Sequence, residues 1–240
     1  MNAAAALALL AGSELEIEGR LLDASNATFL CRLAQPAGAA EATLRCVYKP
    51  IRGERPLDDF PHGTLANRER AAYLLSEATG WAIVPPTVLR DGPLGRGMVQ
   101  LWVEPDPQVD VVGLVLAPDP RLRRVAVFDV LANNADRKGS HLLPLPDGHI
   151  HAVDHGVCFS AQPKLRTVLW AWRGQPLEPA EREVVAAAAG ALGGPLGAEL
   201  EEILTPAEVR ATARRAERLL AEDRLPLPDP QRPALPWPPF

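Results

Sequence analysis

Cysteine is scarce in this chain, and no motif pairs it. Cys31, Cys46 and Cys158 lie far apart and form no C-x-x-C. This spacing argues against a zinc ribbon and a disulfide framework, and a reducing cytoplasm is the simplest setting for it. Positive charge is not in excess either: 25 Lys+Arg stand against 30 Asp+Glu, a formal charge of −5. A dedicated nucleic-acid binder would carry the opposite balance. No apolar run approaches the roughly 18 residues of a membrane span. The Ala- and Leu-rich start, Ala3 to Ala11, has no basic residue before it and is followed by Glu14, Glu16 and Glu18, so it does not read as a signal peptide. Internal repeats, G-x-S-x-G and a Cys/His nucleophile arrangement are all missing. What is present is ordinary for a globular chain: 240 residues, 47% hydrophobic and 23% charged. That is one large domain or two small lobes, with enough length for a real core.

The front half reads as strands. Glu16 to Leu22 and Thr28 to Leu33 flank the polar turn Asp23-Ala24-Ser25-Asn26, and Leu44 to Tyr48 is a third strand ending in Lys49-Pro50. A helix follows, with Ala71, Ala72, Leu74, Leu75 and Ala78 at three-and-four spacing and Gly80 as its stop. Ile83 to Leu89 and Gly97 to Val103 form a strand pair across Asp91 to Gly95. Arg121 to Ala132 is an apolar helix, and His141 to Leu145 with His149 to Val153 flank the hairpin turn Pro146-Asp147-Gly148. Helices are then expected over Pro179 to Ala191, Leu196 to Leu204 and Pro206 to Leu220, the last capped by Thr205 with Pro206 at its first position. Seven of the 25 prolines fall between Pro226 and Phe240, which makes an extended tail. The expectation is an α+β architecture: a β-rich lobe over 1–103, an α-rich lobe over 104–225, and the tail 226–240. Ligands often bind in the cleft between two lobes.

The densest chemistry lies in Phe128 to His141, where two Asp, two Asn, an Arg, a Lys and a His follow an apolar helix. The next hairpin ends in Asp154-His155-Gly156. A loop Asp followed by a hairpin-end Asp is a phosphoryl-transfer layout, in which one carboxylate orients the attacking hydroxyl and the other holds Mg²⁺ against phosphates. Lys49, on a strand, can meet a phosphate as a fixed point charge, and Glu69 in the first turn of the next helix can position it. The Asp23 to Thr28 turn, through Ser25 and Asn26, could cover phosphates but contains no glycine. Each piece also has a bland reading. The Asn/Asp/Gly run is a helix C-terminal loop, Lys49 is a surface lysine before a proline, and Glu69 is a carboxylate at a positive helix end. Their order along one chain favours the shared site. His62, His149, His151 and His155 give no metal spacing.

The order Lys49, Glu69, Gln100-Leu101-Trp102-Val103, Asp136-Arg137-Lys138-Gly139-Ser140-His141 and Asp154-His155-Gly156 resembles a kinase. No H-R-D and no G-x-G-x-x-G are present, so the resemblance is to the atypical branch: phosphatidylinositol 3-/4-kinase-like and HipA-type kinases, with D-R-H-x-x-N and D-x-G motifs. The chain looks like small actinobacterial members of unassigned role. The resemblance runs over Ile17 to Arg173. It implies a two-lobed protein-kinase-like fold with a β-rich N-lobe and an α-helical C-lobe. It also implies ATP with Mg²⁺ or Mn²⁺ as cofactors. By position, Lys49 resembles the phosphate lysine, Glu69 its partner, Gln100, Trp102 and Val103 the adenine hinge, Asp136 the catalytic carboxylate and Asp154 the metal ligand. Lys138 replaces the family His and could stabilise charge on the transferring group. His141 replaces the Asn that would bind a second metal, and imidazole suits Mn²⁺ better than Mg²⁺.

Three functions follow from that resemblance. One is a phosphotransferase to a protein or a small hydroxylated acceptor. The second is a nucleotide-binding pseudokinase that acts as a regulatory or scaffold module. The third is nucleotidyl transfer on the same fold. The short segment after Asp154, Cys158 to Arg166, holds only Lys164 and Arg166, with Arg173 further on; these could meet an anionic substrate but are also an ordinary solvated surface, and are too few for an anionic bilayer. No nucleic acid and no membrane span are expected among the partners.

Overall fold

A computed structural model describes residues 2–22, 26–34 and 44–240. Helix α1 (Ala3–Gly12) precedes a five-stranded antiparallel sheet made of β1 (Leu15–Arg20), β2 (Phe29–Leu33), β3 (Arg45–Pro50), β4 (Thr87–Gly92) and β5 (Gly95–Leu101), in the order β1-β2-β3-β5-β4. Helix α2 (Leu65–Thr79) connects β3 to β4. The strand expected from Ile83 starts only at Thr87, because Ile83 instead accepts through its carbonyl from Ala152 N–H at 2.8 Å.

One face of the sheet packs on α1. Cys31, Leu33, Cys46, Tyr48 and Val99 are buried with Leu10 and Leu15. Side chains alternate across a strand, so Cys46 and Tyr48 take this face while Lys49 turns to the other. Gly97 allows β3 and β5 to close up at that lysine. A Cβ on Gly97 would stand 2.4 Å from the Lys49 carbonyl oxygen and 2.7 Å from Pro50 Cα. Cys31 and Cys46, distant in sequence, are register partners on β2 and β3, both buried and unbonded.

The second half carries α3 (Val111–Leu116), α4 (Arg123–Ala132), the hairpin β6 (Leu142–Pro144) and β7 (Ile150–Ala152), then α5 (Pro179–Leu192), α6 (Pro195–Glu201) and α7 (Pro206–Glu222). Helix α3 is not foreseen by the sequence reading. The cap expected at Thr205 forms: its hydroxyl accepts from Glu208 N–H at 3.3 Å, and the Glu208 carboxylate accepts from Thr205 N–H at 2.9 Å. That carboxylate also meets the fully buried Arg68 of α2 at 2.5 Å. A single buried ion pair therefore joins the helix behind the sheet to the C-terminal helices, and Asn67 Nδ2 adds a bond to Ile203 O at 3.1 Å. The main core runs through α2, α4, α5, α6 and α7, from Leu75 through Phe128 and Leu131 to Val185 and Leu219. Residues beyond Pro226 form no helix or strand. Among the described residues no helix is long and apolar enough to cross a membrane.

Candidate active site

Strand β3, helix α2 and the end of β7 converge on Lys49. Its ammonium lies 2.6 Å from Glu69 Oε1 and 2.8 Å from Asp154 Oδ1. Glu69 is almost fully buried, and its other oxygen accepts from His155 N–H at 2.9 Å. It stands a full turn inside α2, which begins at Leu65, so its place owes nothing to the helix end, contrary to the first-turn position expected from sequence. Asp154 is half-exposed, with its backbone left-handed at φ 60°. Such a conformation is uncommon outside glycine and persists only where the surroundings enforce it.

The charges shape one another. Burial alone would push the Lys49 ammonium down, but Asp154 and Glu69 together hold it above the ordinary lysine range. Lys49 in turn holds Asp154 far below the usual carboxylate range. Burial raises the Asp136 carboxyl, against the pull of Lys138, whose ammonium is 3.4 Å from Asp136 Oδ2. Burial takes His141 down to about 4 despite Asp154. Its Nε2 faces Asp154 Oδ2 at 3.4 Å while Nδ1 faces Lys138 N–H at 3.4 Å. A ring whose Nδ1 accepts carries its proton on Nε2 and donates to Asp154.

The loop after α4 is built by its asparagines. Asn133 ends the helix in the left-handed region, and Asn tolerates that conformation. Its amide donates to Ser160 O at 2.9 Å and Gln162 O at 2.7 Å, and its Oδ1 accepts from Lys164 N–H at 2.8 Å. Asn134 Oδ1 accepts from Asp136 N–H at 2.9 Å, a side-chain turn that fixes the Asp136 backbone. These residues therefore form the turn that the bland reading assigns them, and the turn presents Asp136.

Beneath the loop lies an ion pair to which the sequence pattern assigns no role. Arg137 and Asp129 are both fully buried, with Arg137 Nε 3.0 Å from Asp129 Oδ2. Arg137 also donates to Val153 O at 2.7 Å, next to Asp154, and its Nη2 is 2.6 Å from His155 Nε2. Guanidinium nitrogens only donate, so His155 accepts there. One arginine thus ties α4, the Asp136 loop and the Asp154 strand end together. The available signal was Asp129, a carboxylate interrupting the apolar run Phe128 to Leu131. A buried carboxylate needs a buried cation.

Other sequence candidates are placed differently. Gln100 is buried, and its amide donates to Thr87 Oγ1 at 2.8 Å. Trp102 N–H donates to Arg45 O at 3.0 Å, and its indole to Glu104 at 2.8 Å. Of the three residues expected at a hinge, Val103 keeps an N–H with no partner among the described residues. Asn26 Oδ1 accepts from Arg55 N–H at 2.8 Å, and Ser25 lies outside the described residues. Lys164 pairs with Asp59 at 2.5 Å, Arg166 donates to Ala135 O at 2.7 Å and Arg173 to Trp170 O at 2.9 Å. These three cations are thus engaged within the chain.

Magnesium takes hard oxygens, commonly one or two carboxylates with phosphate and water completing the shell. Among the described residues no group of three or more His, Cys, Asp or Glu is placed to hold a metal ion. An ion held by protein ligands alone does not fit, whereas one arriving with nucleotide phosphates and meeting the half-exposed Asp154 carboxylate does. A cavity of about 840 Å³ lies elsewhere, between α7 and residues 226–234. The Lys49 cluster, where the opposed carboxylates and ammonium meet, lies outside it.

No family model matches the chain. Among solved structures it is similar to hydra Fam20, with a TM-score of 0.60 and 17% identity over 89% of this chain and 86% of that one. It is also similar to the Golgi casein kinase, with a TM-score of 0.57 and 14% identity over 92% and 74%. The fold is protein-kinase-like, with a β-rich N-lobe and an α-helical C-lobe. Phosphatidylinositol 4-kinase gamma 4 of Oryza sativa subsp. japonica is 30% identical over 52% of this chain, a match that spans 25% of the plant protein. Protein Rv2133c of Mycobacterium tuberculosis is 46% identical, with 97% of this chain and 95% of that protein covered. At that identity and coverage, the chain belongs to the family of Protein Rv2133c.

Proposed function

We propose that this protein is an atypical kinase that moves the γ-phosphate of ATP to a hydroxyl on a protein or small molecule. The observation that carries the reading is Lys49, set between a buried carboxylate, Glu69, and a half-exposed one, Asp154. In this assignment residues 1–103 hold the nucleotide, 104–225 supply the catalytic loops, and 226–240 form the tail. Glu69 keeps Lys49 in place while its bond to Asp154 is exchanged for a phosphate oxygen. Asp136 accepts the acceptor's proton as its oxygen bonds the γ-phosphorus, the bond to the β,γ-bridging oxygen breaks, and ADP leaves with that electron pair. Lys138 balances charge beside Asp136. Val103 N–H is the free hinge donor for adenine. Asp154 would hold a divalent ion that neutralises phosphate charge when bound, and His141, donating to Asp154, orients that carboxylate. The loop Asp136 to His141 is also where the likeness to HipA-type kinases rests.

The test is ATP binding and transfer of γ-labelled phosphate with Mg²⁺ or Mn²⁺, beside Asp136→Ala and Asp154→Ala. Label on protein or extract that both variants lose supports the reading. Transfer of α-label instead would show nucleotidyl transfer. A second reading is favoured by His141, a nitrogen donor where an oxygen would hold a second metal: a pseudokinase, for which binding without transfer is the signature.

Two outcomes are expected at this site. Lys49→Ala weakens ATP binding by at least about tenfold, since truncating one member of a desolvated charge pair costs roughly 2–5 kcal/mol; titration calorimetry measures it, and unchanged affinity removes Lys49 from the nucleotide site. The rate falls toward acid with a midpoint above the ordinary carboxylate value, because Asp136 must be ionised to take a proton and burial raises its pKa. No step appears near pH 6.5, since His141 charges only as the pH falls through about 4. A pH–rate profile with a step near 6.5 that His141→Asn abolishes would contradict this.

A further inference from the structure

The proline-rich tail crosses the protein at a chemically informative place. The Asn134 to Arg137 loop pairs with the segment Arg166 to Val168: Arg166 N–H donates to Asn134 O at 2.9 Å, Arg137 N–H to Arg166 O at 3.0 Å and Val168 N–H to Arg137 O at 3.1 Å. Thr167 N–H points away from this pairing and donates to Ala234 O of the tail at 3.1 Å. The same oxygen accepts from the Trp170 indole at 2.9 Å. Further along, Gly139 N–H donates to Pro239 O at 2.8 Å, and Arg232 donates to Pro163 O. The Phe240 ring lies flush on Gly139, where a Cβ would come within 2.2 Å of it. The tail is thus a third strand-like layer on the Asp136 loop. It is held by backbone carbonyls and ends on a residue three positions from Asp136. Leu235 and Trp237 are exposed, and Pro236 is buried.

Backbone N–H groups on an unfilled edge recognise extended polypeptide whatever its side chains, with pockets adding preference. Gly139 N–H, Thr167 N–H and the Trp170 indole form such an edge beside the carboxylate assigned to take the acceptor's proton. We infer that this edge is the acceptor groove, that the acceptor is a polypeptide bound in extended form with a Ser or Thr hydroxyl reaching Asp136, and that the tail occupies the groove as an internal competitor. The inference deepens the kinase reading and rests on it for the transfer step, but not for docking. The step itself is the one given above, with the peptide hydroxyl oxygen as the phosphate acceptor.

The probe is the tail's own sequence: labelled peptides of residues 231–240, unmodified or with a single serine in turn at positions 235 to 239. They are titrated into full-length protein and into full-length Phe240→Ala, with Pro236→Gly as a second release variant. Trp237→Ala, exposed and outside these bonds, serves as control. If the tail covers the groove nine-tenths of the time, its release tightens peptide binding about tenfold. The amides of Gly139 and Thr167 should exchange faster in the release variants and regain protection with peptide. With ATP and Mg²⁺ or Mn²⁺, at least one serine peptide should be phosphorylated, faster by the release variants than by the parent and not by Asp136→Ala.

Several results overturn the inference. One is faster exchange at both amides without tighter peptide binding. Another is unchanged exchange in both variants, which would mean these bonds do not hold the tail. A third is loss of ATP binding and thermal stability in both, which would make the tail a structural part of the lobe. Peptide binding as expected with no transfer to any serine or extract leaves the groove standing and removes the kinase reading. Label transfer to extract with no peptide binding does the reverse.

Discussion

Asp136→Ala is expected to lower the rate of phosphate transfer by about 10²- to 10⁴-fold, the usual worth of a positioned general base, with the affinity for ATP close to that of the parent protein. The split follows from where the charges sit. Lys49 is paired with Glu69 and Asp154, and Asp136 is paired with Lys138, so removing Asp136 leaves the ammonium proposed to meet the nucleotide in place. Asp154→Ala should fail differently. It removes the carboxylate that would meet the metal and frees one side of Lys49, so both ATP affinity at saturating metal and the rate fall. Steady-state kinetics with a parallel binding titration separates the two patterns. Equal losses of affinity in both variants would mean that the two carboxylates act as one binding site, and the assignment of a proton-accepting role to Asp136 would not hold.

The parts of this site that are legible in the sequence are those that local geometry fixes. A strand that alternates Cys46 and Tyr48 with Val47 and Lys49 must send its lysine to the face opposite the core. The turn Pro146-Asp147-Gly148 must return the chain and bring Asp154 back toward the loop holding Asp136. The cap at Thr205 is equally local. What was not legible depends on partners remote in sequence. Gln100 and Trp102 resemble hinge residues by position, but that the Gln100 side chain bonds Thr87 and the Trp102 amide bonds Arg45 is decided by strand register. Cys31 and Cys46 become neighbours for the same reason. Proline content dictates an extended tail but not the edge on which it lies. Lys164, Arg166 and Arg173 read as free cations because their partners Asp59, Ala135 and, for Arg173, the turn carbonyl of Trp170 cannot be inferred from spacing.

Arg137→Met should cost roughly 3–5 kcal/mol of stability, because it strands the Asp129 carboxylate in the interior without its cation. For a chain of this size that is a fall in Tm of about 6–20 °C. The loss is larger than the bare pair would suggest. The same guanidinium donates to the Val153 carbonyl and His155 Nε2, so one substitution takes a donor from three acceptors at once. Asp129→Asn alone should cost a similar amount, since the amide oxygen can keep the bond from Asn134 but leaves the buried Arg137 guanidinium without its counter-ion. Combining the two should recover part of the loss, because no unpaired ion is left inside. The decisive feature is the behaviour of function in the refolded double variant. Arg137 joins the loop of Asp136 to the strand end of Asp154, so a double variant that regains stability should still transfer phosphate poorly, with Asp136 and Asp154 no longer held to one frame. Thermal melts give the stability cycle, and the rate measured well below each Tm gives the positional one. If the double variant recovers both in parallel, Arg137 only fills and neutralises the core. If stability returns without rate, the buried pair sets the distance between the two carboxylates on which the transfer depends.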